Sequence, residues 1–336
     1  MNRKIPFLFL ALFFLTHFAC KSEQMYSLSI NDYQIKIHYD DNKNETGFSI
    51  FSNDKKILSS DSFFLQTAYD QPQVKMQMGQ HDFGDDRLDW QSFSYFKISK
   101  NEKDNAVLLK AFDSKESHIG TITILSEKPN QIQMKFSPKN NNFNRMKLLF
   151  ECQENENYLG FGEQTDDVIH RGHTIPIWVS EGGIGKVESK DNPNYFYPIT
   201  GLLHDTYYPL PFFLSTKGYG LLLNTTYRSV FDMCDTQKDV YSIEIWENTF
   251  DITLYINDNP KEIIRMFAYD NGKPKLPPPW AFFPWNDAIY GQSNVMRVAK
   301  KIRDNNIPSS VIWTEDWIGG STITSGIYNL HYDYDI

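Results

Sequence analysis

Apolar and polar positions alternate with period two along much of residues 26–256, the pattern of strands that bury one face. Residues 26–30 and 34–39 alternate around the turn Asn31-Asp32, and residues 48–51 and 57–58 flank Asn53-Asp54-Lys55. Residues 106–112, 121–125 and 131–136 repeat the pattern, with Pro129-Asn130 as a turn. Residues 212–214 and 219–224 flank Thr216-Lys217-Gly218, and residues 243–246 and 251–256 flank Glu247-Asn248. Short strands with a turn signal about every 10 residues predict a mainly β chain built on an antiparallel β-sandwich.

The pattern changes near residue 257. Residues 261–268 read as a short helix, and Asn271-Gly272-Lys273-Pro274 with Pro277-Pro278-Pro279 read as a stiff linker. Beyond it, residues 281–285 are a short apolar run. Ser293 is a good N-cap, and Val295, Val298, Ala299 and Ile302 share one helix face. Asn305-Asn306 and Pro308 end that helix, and residues 310–313 form a second apolar run. Strand, helix and strand within about 35 residues predict a parallel βαβ unit with a right-handed crossover. The division expected is a sandwich domain over 26–270 and the start of a parallel α/β domain over 278–336.

Residues 1–19 read as a signal peptide: a basic head, Arg3-Lys4, then the apolar run 5–15, then Ala19 before Cys20. Cys20 is the candidate lipidation site, with 20–25 as a polar, lipidated tether; a plain signal peptide is the alternative. The apolar run is shorter than the roughly 20 residues that a spanning helix needs. The expected location is therefore the bacterial envelope, periplasm or outer-membrane surface, with membrane contact only through a lipid at Cys20. About 315 residues remain, enough for two domains. A net charge of −9 without any Lys/Arg run argues against nucleic acid. Cys152 and Cys234 could pair, but spacing alone does not show their distance. With no CxxC or His-rich tract, a structural metal site is not expected.

In parallel α/β folds ligands gather at the C-terminal ends of strands. Asn286, Asp287 and Tyr290 follow the first run, and Glu315, Asp316 and Trp317 the second. Carboxylates there can accept hydrogen bonds from sugar hydroxyls, and rings can cover the apolar faces of a sugar. An ordinary acidic loop has the same composition. A third group is the glycine-dense stretch Gly160-Phe161-Gly162-Glu163-Gln164, Arg171-Gly172 and Trp178-Val179-Ser180-Glu181-Gly182-Gly183-Ile184-Gly185. Glycine at this density marks backbone that turns tightly or approaches a neighbour closely. Trp178 and Glu181 are its candidate binding residues. Gly185-Lys186-Val187 lacks the Ser/Thr of a phosphate loop.

Several of these segments resemble glycoside hydrolase family 31. Tyr158-Leu159-Gly160-Phe161-Gly162-Glu163-Gln164 with Arg171-Gly172 is similar to a G-x-GE segment of that family. Pro211-Phe212-Phe213-Leu214-Ser215-Thr216-Lys217-Gly218-Tyr219-Gly220 resembles its PFFxSxxGYG strand pair. Pro279-Trp280, and Ile312-Trp313-Thr314-Glu315-Asp316-Trp317, fall where the family begins its barrel. The resemblance implies a galactose-mutarotase-like sandwich followed by the start of a (β/α)8 barrel. It implies a retaining, exo-acting α-glycosidase that acts on an oligosaccharide or α-glycoside without a cofactor.

Residues 171–185 most resemble the sulfoquinovosidase branch, with its RG…W-x-SE-x-G-x-G run. That branch places Gln, Gln, Arg and Trp where this chain has Tyr290, Glu315, Tyr328 and His331. A carboxylate facing a sulfonate repels it, so an α-glucosidase-like pocket is expected instead. Its substrate-binding residues would be Glu315, Tyr290, Asp316, Trp178 and Glu181. The resemblance places both catalytic aspartates after later barrel strands, beyond Ile336. The stretch given is thus expected to be inactive by itself, and Asp333 and Asp335 lack the family's nucleophile context. The rival readings are a non-catalytic glycan-binding lipoprotein and a structural envelope protein.

Overall fold

The computed structural model describes residues 24–40, 45–60, 64–77, 79–84, 88–93, 95–101, 106–113, 115–288 and 292–314. The chain divides into two compact units, Met1–Asp270 and Asn271–Ile336. The expected signal segment, Cys20, Tyr290 and residues 315–336, Glu315 and Asp316 among them, lie outside the described residues.

In the first unit, β1 (Gln24–Ile30), β2 (Tyr33–Asp40), β3 (Glu45–Ser52) and β4 (Lys55–Ser60) form a four-stranded meander. Asn31, Asn53 and Asp54 turn its hairpins at φ of 48°, 48° and 64°, a backbone that Asn and Asp tolerate better than most residues. Next come β5 (Leu65–Ala68), the hairpin of β6 (Gln73–Gln77) and β7 (Gln80–Gly84), and β8 (Gln91–Ser92). They are followed by β9 (Tyr95–Asn101), β10 (Ala106–Phe112), β11 (His118–Leu125), β12 (Gln131–Pro138) and β13 (Arg145–Glu151). The unit continues with β14 (Tyr158–Gly162), β15 (Thr174–Ile177), β16 (Pro209–Ser215) and β17 (Tyr219–Leu223). It closes with β18 (Ser229–Gln237), β19 (Val240–Ile245), β20 (Phe250–Ile256) and the helix α1 (Pro260–Asn271).

These strands build an eight-stranded sheet, β14-β16-β17-β20-β12-β11-β10-β9, and a six-stranded sheet, β15-β18-β19-β13-β5-β8. Every pairing between these named strands is antiparallel, and two isolated bridges, Val179 with Thr206 and Val187 with Leu202, are parallel. The sandwich read from the alternation is the fold. Inward positions of both sheets and of the meander share one apolar core. Its rings meet mostly edge to face: Phe161 lies 5.2 Å from Phe231, and Tyr158 lies 5.5 Å from Phe213. Each such buried ring stabilises the fold by roughly 2–3 kcal/mol. β17 is buried at all its positions, because α1 covers the sheet's other side through a second cluster of Phe212, Leu222, Tyr255 and Ile263. Phe212 stacks on Phe267 of that helix at 4.3 Å.

Cys152 and Cys234 form a disulfide with Cα atoms 6.6 Å apart, so the pairing left open by their spacing occurs. The structure also contains strands that the alternation does not announce. β6 is exposed at every position and so shows no one-sided apolar pattern, and β15 is only four residues long, with Pro176 between its buried Ile175 and Ile177.

In the second unit the first parallel strand sits later than the apolar run 281–285 suggests. A 3-10 turn occupies Pro279–Phe282, with Pro at its start and Ala281 N–H bonded to Pro278 O at 3.0 Å. Pro284 has no N–H, so pairing starts after it. β21 (Trp285–Asp287) and β22 (Val311–Trp313) pair in parallel, and α2 (Gln292–Asp304) lies between them in sequence. Asn286 and Asp287 therefore belong to the strand rather than following it, and Ser293 is already helical rather than the N-cap. One helix cannot cover both faces of a two-stranded parallel sheet. Trp280, Trp285 and Trp313 accordingly form a row of neighbouring rings that stay about half exposed. Among the described residues no helix is long and apolar enough to cross a membrane.

Candidate functional site: the glycine-rich segment of the first unit

The segment between β14 and β16 carries the motif residues of the first unit, and its construction begins inside β14. The register against β16 shifts between Gly160 and Gly162. Phe161 adopts φ 67° and buries its ring completely, while Gly162 takes φ 85°. A Cβ on Gly162 would stand 1.9 Å from Tyr208 O, so only glycine fits this close crossing. The bulge turns the chain so that Glu163 emerges exposed. Its N–H bonds Tyr208 O at 3.0 Å, and its carboxylate accepts from Thr206 Oγ1 at 3.3 Å.

Residues 178–187 run beside 199–206. Ser180 N–H donates to Thr206 O at 3.0 Å, Ile184 N–H to Ile199 O at 2.8 Å and Val187 N–H to Gly201 O at 3.0 Å. At Gly183, with φ 64°, a Cβ would meet Gly201 N at 2.3 Å, so the two chain segments touch backbone to backbone. Lys186 Nζ closes the same turn by donating to Asp205 O at 2.5 Å. Burial pushes the Asp205 carboxyl up, against the pull of Leu202 N–H and the Lys186 charge.

Glu181 is half-buried. Its N–H bonds Gly79 O at 3.0 Å, and its carboxylate accepts the hydroxyl hydrogen of Tyr207. That hydrogen bond, with a little burial, raises the Tyr207 phenol above its ordinary value. Gln80 of β7 bonds the carbonyls of Glu181 at 3.4 Å and Thr200 at 3.3 Å. Apolar side chains on this segment point to solvent: Ile184 is 78% exposed, Tyr208 75% and Phe196 68%.

Trp178 lies outside the main sandwich core. It packs edge-on against His81 at 5.9 Å and Phe83 at 5.8 Å of the β6–β7 hairpin. The ring array continues through Arg228, whose guanidinium sits 4.4 Å from both Phe83 and Trp246, to Arg145 over Trp246 at 4.1 Å. The Trp178 Nε1–H is buried and finds no protein acceptor. The structure thus brings Trp178 and Glu181 onto one hairpin, β6–β7, which the sequence reading did not register as a strand pair.

Arg171, part of the Arg-Gly motif, has a structural task. Its guanidinium bonds the carbonyls of Gln153 at 3.2 Å, Glu156 at 2.7 Å and Lys238 at 3.0 Å. Those bonds hold the turn that carries the fully buried Glu156, which accepts from Ser215 Oγ and, at 2.8 Å, from Tyr219 Oη. A second cluster was not foreseen. Asp166, His170, His173 and His204 converge beside the bulge, with burial lowering the His170 and His204 imidazoles below their ordinary value. A cleft lined by Tyr69, Gln91, Phe93, Lys115 and Asn142 draws no residue from 158–208.

Carboxylates held at Glu163 and Glu181, with phenols and apolar side chains around them, can accept hydroxyl hydrogens and cover flat apolar faces. The family description "Glycosyl hydrolase 31 N-terminal galactose mutarotase-like domain" matches residues 16–232. A sulfoquinovosidase of Agrobacterium fabrum is 30% identical over 182 residues, which are 52% of this chain and 27% of that protein. A sulfoquinovosidase of Escherichia coli is 22% identical over 209 residues, 59% of this chain and 30% of that one. The solved structure of a family 31 sulfoquinovosidase from E. rectale, with an aza-sugar inhibitor, has the same fold. Its TM-score is 0.69 at 23% identity, over 81% of this chain and 40% of that one. The chain thus spans less than a third of the length of these two curated relatives. On the strength of the family match, the chain belongs to glycoside hydrolase family 31 and carries its N-terminal galactose-mutarotase-like domain.

Proposed function

We propose that this chain is the N-terminal part of a retaining, exo-acting α-glycoside hydrolase that removes terminal α-linked sugars. The observation that carries the reading is the family match over residues 16–232, followed in sequence by a parallel strand pair with a helix between its strands. In such a scheme one carboxylate attacks the anomeric carbon and a second protonates the leaving oxygen, about 5–5.5 Å apart. Both belong to later barrel strands in the reading adopted here. Glu315 and Tyr290 would bind the terminal sugar, aided by Asp316, and Trp178 and Glu181 are further candidate substrate-binding residues. Glu315 favours a neutral sugar over a sulfonated one, because its charge would repel a sulfonate. The proposal includes export and lipid anchoring at Cys20, on the strength of the basic head, apolar run and Ala19-Cys20 junction.

The test is to read the coding DNA past codon 336, express the in-frame continuation and follow hydrolysis of an aryl α-glucoside by NMR. Release of the α-anomer first supports retention. Glu315→Gln, which removes a charge-assisted bond worth roughly 1.5–3 kcal/mol, should lower kcat/KM about tenfold or more. The 336-residue chain alone should show no turnover. A stop codon after Ile336, with the product binding α-glucosides unhydrolysed, would replace the enzyme by a glycan-binding lipoprotein.

A further inference from the structure

Asp166, His170 and His173 have no part in the glycosidase reading, yet they are arranged as ligands. One donor atom from each lies within 4.8 Å of the other two. The Asp166 side chain is only 8% exposed, and neither of its carboxylate oxygens makes a hydrogen bond. Its neighbours are His173 Nδ1 at 3.4 Å and His204 Nδ1 at 3.6 Å. His170 is 2% exposed, and its buried Nδ1 is also without a hydrogen-bond partner. A buried carboxylate and a buried imidazole nitrogen left without hydrogen-bond partners each destabilise the fold. A compensating charge at the centre of the cluster would offset both.

The Asp166–His173 distance fits a small cation. Zinc takes His nitrogen and Asp oxygen at about 2.0–2.2 Å in tetrahedral array, which sets neighbouring ligand atoms roughly 3.4 Å apart. The Asp166–His173 separation has that length. The backbone is also set in advance. His170 N–H bonds Tyr158 O at 2.9 Å, Gly172 N–H bonds Met233 O at 2.7 Å, and Met233 N–H bonds His173 O at 2.9 Å. Both histidines are thereby pinned to β14 and β18. His204 Nδ1 donates to Gln164 Oε1 at 2.9 Å, so its one Nδ1 hydrogen is not available to Asp166.

We propose that Asp166, His170 and His173 bind one zinc ion through a carboxylate oxygen and two imidazole nitrogens, with water in the fourth position. The ion clasps the turn after the Gly-x-Gly-Glu segment, which the His204–Gln164 bond already joins to the strip that ends at Tyr208. The site stands independently of the glycosidase reading, since binding is read without any sugar.

The purified chain, stripped with a chelator and dialysed against zinc, should retain one zinc per chain by elemental analysis and show saturable binding by calorimetry. Cobalt in its place should give the visible absorption of a tetrahedral centre. Asp166→Asn and His173→Ala should each weaken binding by at least about 10–100-fold, the loss already produced by disturbing a ligand's outer partners. His118→Gln, on β11, should bind zinc like the unaltered chain. Should Asp166→Asn unfold, as circular dichroism would reveal, the half-exposed His173→Ala carries the test alone. Failure of the unaltered chain to hold zinc, or full binding by the Asp166→Asn/His173→Ala double variant, would overturn the site.

Discussion

The Tyr207 hydroxyl donates its hydrogen to the Glu181 carboxylate, joining the glycine-rich loop to the strip that leads into β16. The bond crosses between two segments that already touch backbone to backbone at Gly183 and Gly201. It therefore restrains a loop whose path is fixed by close approach, and its contribution is local. Tyr207 is 53% exposed, so solvent screening keeps the bond's contribution to global stability below about 1 kcal/mol. Tyr207→Phe should leave the unfolding midpoint nearly unchanged while amide exchange speeds up across residues 180–187. Unchanged exchange there would show that the backbone contacts alone hold the loop.

A second prediction concerns Gly162. Alanine there must hold φ 85° and place its Cβ 1.9 Å from Tyr208 O. The left-handed backbone alone costs about 1–2 kcal/mol, and the clash adds to it. Gly162→Ala should destabilise the chain by roughly 2 kcal/mol or more, read as a lower urea midpoint. A loss under about 0.5 kcal/mol would mean that the Tyr208 segment yields freely.

The disulfide makes a third. Cys152 and Cys234 close a loop with a sequence separation of 82 residues. Chain-entropy arithmetic for a loop of that size gives about 4.5 kcal/mol of stabilisation. Peptide mapping without reductant should recover the pair. Reduction should lower the urea midpoint by a shift equivalent to about 3–5 kcal/mol. An unchanged midpoint after verified reduction would contradict the assignment.

Glu151 supplies a pH dependence. Burial alone would raise its carboxyl, but hydrogen bonds from Lys56 and Ser59 and the Lys56 charge hold it below the ordinary value of 4.5. Lys56 Nζ lies 2.6 Å away and links β4 of the meander to β13 of the six-stranded sheet. A carboxyl lowered by folding contributes stability that is complete above its unfolded value and disappears as pH falls through the folded one. The stability gap between the unaltered chain and Glu151→Gln should thus be constant near neutrality and shrink below about pH 4.5. A gap independent of pH across that range would remove the charge from the explanation.

Much of the fold was legible because burial imposes a period. β10 runs over Ala106–Phe112, the bounds its alternation announced, and β11 alternates buried and half-buried positions along most of its length. Helix α2 follows from Val295, Val298, Ala299 and Ile302 on one face, although its start did not. Where one-sided burial ends, so did the legibility. β6 is exposed throughout, and its pairing with β7 could not be read from apolar positions. That hairpin is what Trp178 and Glu181 rest on.

By itself, the sequence determined the sandwich, the change of grammar near residue 257, the glycine motifs and through them the family. Only the tertiary structure decided how those motifs are used. It made Arg171 a clamp on three backbone carbonyls, and it paired Cys152 with Cys234 across β18 and the end of β13. It also set Asp166, His170 and His173 around one point. Periodicity reports which side of an element faces the core, because burial acts on each residue alone. The meeting of side chains from separate elements depends on bulges, turns and strand order, which no local pattern encodes. The Gly160–Gly162 bulge is the example: it turns Glu163 outward and starts the turn on which Asp166 and His170 approach each other.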